Sequence, residues 1–314
     1  SILYISHRMS DIRAIADRIV TMRDGKISGI FDGPTLDYEG AVTAMLGQKM
    51  SFDRLKIQEK GNPIFTLKNA RLSQLTNSFD LVFYKNEVVA ITGLLGSGKT
   101  ALASAIFGLN VLYEGKMFLR DQVYSPNNPK DAIAKGVFMC PKDRSSNAVI
   151  SDFDITNNML LPFLGRHSRF SFLSRNSLTK MATHLISELG VICQSELDPI
   201  STLSGGNQQK VMVSRWLSEK SDVLLLDEPF QGVDIKARRD IGNHIRQTSN
   251  ERATIVFVAE LDEALEIADK IVILHEGSLV GKFENNAKNI PSILSLYSGQ
   301  IEPDTQKDKR QSNA

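Results

Sequence analysis

A glycine-rich segment, Gly93-Leu-Leu-Gly-Ser-Gly-Lys-Thr100, has the composition and spacing of a phosphate-binding loop. Its glycines allow consecutive backbone N–H groups to turn inward around phosphate oxygens. We expect Lys99 to reach the β- and γ-phosphates of a nucleotide and the Thr100 hydroxyl to ligate Mg²⁺. A glycine-rich turn with an incidental lysine is the alternative. The predicted nucleotide contacts are Gly93, Leu94, Leu95, Gly96, Ser97, Gly98, Lys99 and Thr100.

Two adjacent carboxylates, Asp227 and Glu228, follow the apolar run 223–226. A continuous apolar run is typical of a buried parallel strand, which would deliver both side chains at its carboxyl end. We expect Asp227 to hold Mg²⁺ through water and Glu228 to polarise the attacking water as general base. An exposed acidic pair without a catalytic role is the alternative interpretation of these two residues alone.

Apolar runs and helical patterns place these residues at the ends of regular elements. Val88–Thr92 comes directly before the glycine-rich segment, and a helical pattern follows at 101–108. A phosphate loop needs this order, because the N-terminus of the helix adds its dipole to the anion site. Residues 142–220 are richer in helix signals. The pattern predicts an α/β fold of the P-loop nucleotide-hydrolase type.

The first 50 residues alternate between strand and helix signals. Three strands and one helix are predicted, at 2–5, 18–22, 26–31 and 10–16 respectively, with a hairpin turn at Asp24-Gly25. Residues 51–63 are polar and charged, which is typical of a linker. The last residues, QIEPDTQKDKRQSNA, have few apolar side chains, and we predict that the tail 300–314 is disordered.

Composition disfavours several classes of protein. The 314 residues are 42% hydrophobic and 23% charged, which are ordinary values for a globular protein, and the net charge of +1 gives no general attraction for nucleic acid. Cys140 and Cys193 are far apart, which makes a disulfide scaffold or zinc site unexpected and favours a reducing cytosolic setting. We expect neither a membrane-spanning segment nor a signal peptide, so that any work at a membrane would go through a partner.

The chain contains an internal repeat. Residues 255–277 (IVFVAELDEALEIADKIVILHEG) are similar to 2–25 (ILYISHRMSDIRAIADRIVTMRDG), with one residue fewer in the later copy. Both copies have the order strand, polar residue, helix, strand and hairpin. Chance similarity of two amphipathic segments is the alternative, but the shared order favours a duplicated domain of which only the end of the first copy is present.

Between the phosphate loop and the acidic pair lies Leu203-Ser-Gly-Gly-Asn-Gln-Gln-Lys210. Taken alone, Ser-Gly-Gly before an amphipathic run is the usual start of a capped helix. In order with the other two motifs, it resembles the signature of ATP-binding cassette (ABC) ATPases, which caps the γ-phosphate of an ATP held by an opposing cassette. The resemblance implies ATP and Mg²⁺ as ligands and nucleotide contacts at Ser204, Gly205 and Gly206. It also implies a RecA-like core with a parallel sheet, an antiparallel β subdomain and a helical subdomain.

Finer details are similar to the cytosolic ATPase of bacterial simple-sugar importers of the ribose, galactose or xylose type, which carries two cassettes in one chain. These details are LSGGNQQKV, LDEPFQGVD, ISHRM…IADRIVTMRDG and AMLGQKM. The resemblance implies that 1–50 is the end of a first cassette and that 64–299 is a second cassette, with its helical subdomain at about 142–220. Nucleoside and autoinducer importers share this ATPase type, so the solute is weakly specified.

This resemblance also implies a function and partners. The chain would be an ATPase at the cytoplasmic face of the cell membrane that energises import of a monosaccharide or related small solute. Its partners would be permease subunits, a second cassette and, indirectly, a periplasmic or extracellular solute-binding protein, with no nucleic acid. By the repeat, His7 corresponds to the γ-phosphate contact of an upstream cassette. The chain is therefore expected to be the C-terminal part of a longer ATPase.

The sequence departs from the family pattern at three places. Glu260 stands where active cassettes carry a histidine that contacts the γ-phosphate, and a carboxylate repels phosphate. Lys142 replaces a Gln or Glu that senses nucleotide, although it could equally be a solvated loop charge. No clear aromatic residue precedes the phosphate loop to stack on adenine, with Phe65 and Phe79 as candidates. We therefore expect the site to bind ATP and to hydrolyse it poorly.

Two other functions remain open from the sequence. One is a soluble twin-cassette ATPase that acts on ribosomes or DNA, which the near-neutral charge and the absence of a basic arm disfavour. The other is a truncated remnant that binds nucleotide without a role in transport.

Overall fold

A computed structural model describes residues 1–5, 12, 15–23, 25–33, 36–37, 40–41, 44, 59–144, 148–169, 172–173, 175–286 and 288–297. The strands in this part of the chain are β1 (Arg18–Arg23), β2 (Lys26–Asp32), β3 (Pro63–Arg71), β4 (Phe79–Tyr84), β5 (Val88–Thr92), β6 (Glu114–Leu119), β7 (Gln122–Tyr124), β8 (Val137–Cys140), β9 (Ser168–Arg169), β10 (Phe172–Leu173), β11 (Val223–Asp227), β12 (Ala253–Phe257), β13 (Lys270–His275) and β14 (Ser278–Glu284). The helices are α1 (Lys99–Ile106), α2 (Pro129–Ala134), α3 (Ile155–Leu160), α4 (Arg175–Leu189), α5 (Gly205–Leu217), α6 (Ile235–Gln247), α7 (Leu261–Ile267) and α8 (Ile290–Tyr297), with 3₁₀ turns at Leu161–His167 and Ile200–Thr202.

The central sheet carries the glycine-rich segment after β5 and the acidic pair at the end of β11. Its described strands lie in the order β14–β13–β5–β12–β11–β8. All neighbouring pairs are parallel except β13 with β14. Every residue of β5, β8, β11 and β12 is buried, which explains why these strands are continuous apolar runs. The strands predicted at Val88–Thr92 and 223–226 are thus confirmed.

A second, antiparallel sheet lies beside the first in the order β4–β3–β6–β7. Its alternating strands bury one face, as β4 shows with the pattern buried, exposed, buried, intermediate, buried, intermediate. Phe65 is fully buried and contacts the rings of Phe83 and Tyr124 at centroid distances of 6.1 and 5.7 Å. The Tyr124 hydroxyl donates a hydrogen bond to the Ile106 carbonyl at 2.9 Å, which ties this sheet to α1.

The helical part, predicted at about 142–220, contains α3, α4 and α5 together with a short β9–β10 hairpin. An aromatic cluster fixes it to the central sheet. The ring of Phe138 on β8 lies 4.9 Å from that of Phe163 and 6.1 Å from that of Trp216 on α5. Asn158 on α3 is fully buried, and its backbone carbonyl accepts a hydrogen bond from Arg215 Nε at 2.6 Å. These contacts hold α5, whose N-terminus carries the signature, in a fixed position.

The structure supports and extends the internal repeat. In the hairpin β1–β2, Arg18 pairs with Asp32, and in β13–β14, Lys270 pairs with Glu284. The following pairs correspond one to one, with the same register shift after the fourth pair of each hairpin. Gly29 and Gly281 each lie against a phenylalanine two residues later in the chain. A β-bulge and a glycine in equivalent places are features of fold rather than of composition, which favours duplication over chance similarity.

One predicted strand is wrong. Residues 2–5 form no strand, and Ile2, Leu3 and Ile5 are at least 89% exposed. Their counterpart in the repeat belongs to β12, which is held between β5 and β11. Neither β5 nor β11 has a counterpart among the described residues of the first copy of the repeat. A strand at 2–5 would therefore leave its backbone N–H and C=O groups unpaired. The helix predicted at 10–16 and the tail at 300–314 fall largely or wholly outside the described residues.

Candidate functional site

Four parallel strands bring the predicted site residues to one edge of the central sheet. Their carboxyl ends lead into Gly93 from β5, Lys142 from β8, Asp227 from β11 and Glu260 from β12. In open α/β sheets the crevice at the carboxyl ends of the strands is where ligands bind. Residues that are far apart in sequence are therefore neighbours in space.

The phosphate loop runs from Gly93 to the first residue of α1. Gly93, Gly96 and Gly98 have φ values of 152°, 81° and 96°, a region that favours glycine. A Cβ atom on Gly93 would lie only 2.1 Å from the Leu274 carbonyl oxygen. The conformation and the close approach explain why this spacing of glycines is needed. Leu94 and Leu95, at 46% and 98% exposed, form the tip of the loop.

Lys99 begins α1, and its side chain folds back across the loop. Its ammonium donates hydrogen bonds to the Gly93 carbonyl and to Ser97 Oγ, the latter at 3.4 Å. The loop is braced on its far side, where the Gly277 N–H donates to the Ser97 carbonyl at 2.9 Å. Burial lowers the pKa of Lys99, and the nearby carboxylates of Glu228 and Asp227 oppose that shift. The loop thus holds a buried ammonium group whose charged form a bound anion would stabilise.

Asp227 is the last residue of β11 and is 2% exposed. Burial raises its pKa to about 6, the neighbouring Glu228 adds to the shift, and Lys142 and Lys99 oppose it. Its Oδ1 atom is buried and accepts no hydrogen bond from the described residues. A buried carboxylate oxygen without a donor is suited to a cation, because leaving it unpaired is costly.

These features fit Mg²⁺. Asp227 and the exposed Thr100 line the same cavity. No cluster of three or more metal-binding His, Cys, Asp or Glu side chains occurs within the described ranges. Mg²⁺ is commonly held by one or two carboxylates together with substrate phosphates and water, and therefore needs no such cluster.

Glu228 is paired directly with a lysine. Its Oε1 accepts a hydrogen bond from Lys142 Nζ at 2.8 Å, and the two side chains are 11% and 36% exposed. Glu228 has φ +47°, which is uncommon for a residue other than glycine and recurs at functional sites. Its N–H donates to the Phe257 carbonyl at 2.8 Å, so that the backbone is fixed to β12. The sequence singles out Lys142 and Glu228 separately and gives no sign of their contact.

The signature residues begin α5. Ser204 is the N-cap, and its hydroxyl accepts a hydrogen bond from the Asn207 N–H at 3.4 Å. The Gly205 carbonyl accepts from Arg144 at 2.8 Å, and a Cβ on Gly206 would lie 3.3 Å from Ala237. In the part of the chain that the structure describes, no hydrogen bond joins 204–206 to the phosphate loop. The structure therefore brings together 93–100, 227 and 228, and places 204–206 on a separate element.

A cavity of about 580 Å³ is lined by residues from α1, from the segment after β8 and from α5. Its lining includes Thr100, Asp227, Arg144 and Gln209. Gln209 is 1% exposed, and its Nε2 is buried without a hydrogen-bond acceptor among the described residues. The sequence does not single out Arg144 or Gln209, although Gln209 lies within the quoted segment 203–210 and Arg144 lies two residues after Lys142.

Glu260 is the N-cap of α7. Its N–H donates to the side chain of Glu263 at 3.3 Å, and the preceding carbonyl, of Ala259, accepts from the Tyr297 hydroxyl at 2.7 Å. The backbone at 259–260 is therefore fixed by two contacts, one to Glu263 and one to Tyr297. Burial raises the pKa of Glu263 to about 7, while Arg238 opposes the shift.

The raised pKa of Glu263 predicts a pH-dependent stability. The ordinary value is 4.5, so the folded state binds the proton more tightly, and the free energy of unfolding falls as pH rises from about 4.5 to 7. We expect Glu263→Gln to raise the free energy of unfolding by on the order of 2 kcal/mol at pH 8 and to lose most of that gain at pH 5. Urea unfolding at both pH values measures it. The exposed Glu276→Gln is the control, and equal gains at both pH values would contradict the expectation.

Phe65 and Phe79 are not available to an adenine ring. They are 0% and 7% exposed and belong to the core between the two sheets. Side chains that fill a core cannot offer a free ring face, so these two candidates are wrong. Leu72 lies against the loop, since its Cδ1 would be 3.0 Å from a Cβ on Gly98. His7 lies outside the described residues.

Comparison with known proteins places the site in a family context. Residues 76–231 match the family model described as ABC transporter. The Ribose import ATP-binding protein RbsA 2 of Rubrobacter xylanophilus is 35% identical over 300 residues, which cover 95% of this chain and 58% of that protein. The Arabinose import ATP-binding protein AraG of Pectobacterium atrosepticum is 32% identical over 299 residues, which cover 94% and 59%. The chain spans about three fifths of the length of these curated relatives.

Solved structures share the fold. A nucleotide-free ATP-binding cassette from an ABC transporter aligns with a TM-score of 0.64 and 18% identity, over 74% of this chain and 96% of that one. A dimeric cassette bound to ADP and phosphate aligns with a TM-score of 0.60 and 19% identity, over 71% and 100%. These likenesses show the fold: a cassette with a parallel core, an antiparallel β part and a helical part.

Proposed function

We propose that this protein is an ATP-binding and ATP-hydrolysing subunit that energises import of a monosaccharide or related small solute through a membrane permease, because residues 76–231 match the family model described as ABC transporter. The observation that carries the ATPase proposal is the convergence of Lys99, Thr100, Asp227 and Glu228 at one sheet edge. The solute class rests on the relatives, which include ribose and arabinose import proteins.

Within this proposal each side chain has a role that its position supports. The loop amides of 93–98 and the ammonium of Lys99 bind the β- and γ-phosphates of ATP. Thr100 and Asp227 would hold Mg²⁺, which when bound neutralises phosphate charge and fixes the geometry of the phosphates. Glu228 accepts the proton of the attacking water. The buried Asp227 oxygen and the strained backbone of Glu228 support these assignments.

The signature is proposed to act in a partner. Ser204, Gly205 and Gly206 open α5 and lie on a different element from this chain's own phosphate loop. The N-terminus of a helix offers free N–H groups to an anion, and we assign these to the ATP of an opposing cassette. His7 would complete that same ATP site from the first copy of the repeat.

The architecture supports a division of the chain. We propose that 1–50 belongs to a first cassette, that 51–63 is a linker, that 64–299 is a second cassette and that 300–314 is a tail. The described part of the chain contains no helix long and apolar enough to cross a bilayer. We place the action of the protein at the cytoplasmic face of the membrane, with permease subunits as partners and a solute-binding protein acting indirectly.

We further propose that this chain's own site binds ATP and turns it over slowly. Glu260, at the position of the missing histidine, caps α7 and is held by the Glu263 contact. An ionised carboxylate has no proton to donate to the γ-phosphate and repels it.

Solute uptake tests the transport proposal. Cells that lack the gene, and cells complemented with wild-type or Lys99→Ala protein, would be given labelled ribose, arabinose or galactose at low concentration, with a nucleoside as comparison. We expect loss of uptake of one of the sugars, restored by wild type and not by Lys99→Ala. Unchanged uptake of all the solutes, with an ATPase activity that responds to RNA or DNA, would favour the soluble ATPase instead.

A further inference from the structure

The contact between Lys142 and Glu228 joins two loops at the centre of the candidate site. Lys142 follows β8 and Glu228 follows β11, and these strands are neighbours in the sheet. The Nζ to Oε1 distance of 2.8 Å is that of a charge-assisted hydrogen bond. The Glu228 side chain is only 11% exposed, so water screens this pair less than a surface pair.

The loop that carries Lys142 is anchored on its other side. Arg144, two residues later, donates to the Gly205 carbonyl at 2.8 Å. Pro141 precedes Lys142 and limits the backbone at the end of β8. The segment 141–144 therefore reaches from the candidate general base to the start of the signature helix, and Lys142 is held near Glu228 by both ends of the segment.

We propose that Lys142 is an inhibitory lock on the Glu228 carboxylate, and that this lock is a cause of slow hydrolysis separate from Glu260. The proposal rests on the proposed ATPase function. A general base must accept a proton from the attacking water within hydrogen-bond reach. The oxygen that already accepts from an ammonium group is engaged and is a poorer acceptor for that proton. A neutral side chain at 142 would release it.

The lock makes Lys142 a positioning residue, because it acts through Glu228. It therefore predicts a gain of function on removal, which loss of a structural or ligand-binding residue would not produce. Lysine and arginine both form charge-assisted hydrogen bonds to carboxylates, so that arginine should keep the lock and glutamine should release it.

The test measures ATP binding and turnover of the full chain for wild type, Lys142→Gln and Lys142→Arg. We expect Lys142→Gln to raise kcat about 5- to 10-fold, with the Kd for Mg²⁺-ATP unchanged within about threefold, while Lys142→Arg stays within about twofold of wild type. Lys135→Gln is the matched control, since Lys135 forms an ion pair of similar length with Asp131 at 3.1 Å, away from the site. Lys142→Gln combined with Glu228→Gln should show no gain.

Each outcome decides the matter. An ATP-bound Lys142→Gln chain that turns over no faster than wild type overturns the lock, and so does a fall in kcat, which would make Lys142 a phosphate contact. A gain that persists in the Glu228→Gln background also overturns it. Failure of the wild-type chain to bind ATP would instead overturn the proposed function, so the two failures are distinguishable.

Discussion

Lys99→Ala is expected to weaken ATP binding by at least about 100-fold, which corresponds to about 2.7 kcal/mol. The reason is that the Lys99 ammonium lies within the phosphate loop, where burial lowers its pKa and a bound anion would stabilise its charged form. Hydrogen bonds to charged groups contribute roughly 1.5–3 kcal/mol each, and the lysine is assigned contacts to two phosphates. Titration with a fluorescent ATP analogue measures the loss.

Stability separates this effect from misfolding. Because burial disfavours the Lys99 ammonium, its removal should leave the free energy of unfolding unchanged or slightly higher. The control is Lys116→Ala, which removes an exposed lysine on β6 and should bind ATP like wild type. A Lys99→Ala chain that binds ATP normally would contradict the assignment of the phosphate loop.

Glu228→Gln is expected to lower ATP turnover by about 10²- to 10⁴-fold while the Kd for ATP stays within about threefold. Glutamine has the shape of glutamate but cannot take up the proton of the attacking water. Phosphate release under multiple turnover, beside ATP titration of the same variant, measures both quantities.

The expected effect of Glu228→Gln has to be judged against the rate of ATP turnover by the wild-type protein. We expect wild-type turnover below the roughly 1–10³ s⁻¹ that is usual for enzymes, because Glu260 and the lock both oppose hydrolysis. Robust wild-type turnover that Glu228→Gln abolishes would contradict the slow site, although it would support Glu228 as the base. Turnover unaffected by Glu228→Gln would remove the residue from the mechanism.

The sequence predicts the centre of the fold well because burial and backbone conformation there restrict which residue types can occur. Val88–Thr92 and Val223–Asp227 are buried on both faces, so their apolar runs are continuous and their ends are sharp. Gly93 and Gly98 adopt conformations that few other residues tolerate, which makes the loop visible in sequence. The resemblance to ABC ATPases is confirmed by the family match over 76–231.

Contacts between distant residues could not be predicted in the same way. Lys142 and Glu228 are 86 positions apart, and their contact depends on β8 and β11 being neighbours in the sheet. Strand order follows from the packing of the whole domain rather than from any local pattern. The error at 2–5 has the same origin, since an apolar run forms a strand only where a neighbouring strand accepts its hydrogen bonds.

Among the described residues the hairpin β1–β2 has an unpaired edge on β1, which bears on the solubility of the protein. In the second copy of the repeat β13 lies between β14 and β5, whereas β1 pairs with β2 alone among the described residues. Val20, Met22, Ile27 and Ile30 are 48–61% exposed on this hairpin. An apolar strand with unpaired backbone groups is a template for adding another strand, including one from a second molecule. We therefore expect this hairpin to limit the solubility of the chain through strand addition, independently of the nucleotide chemistry.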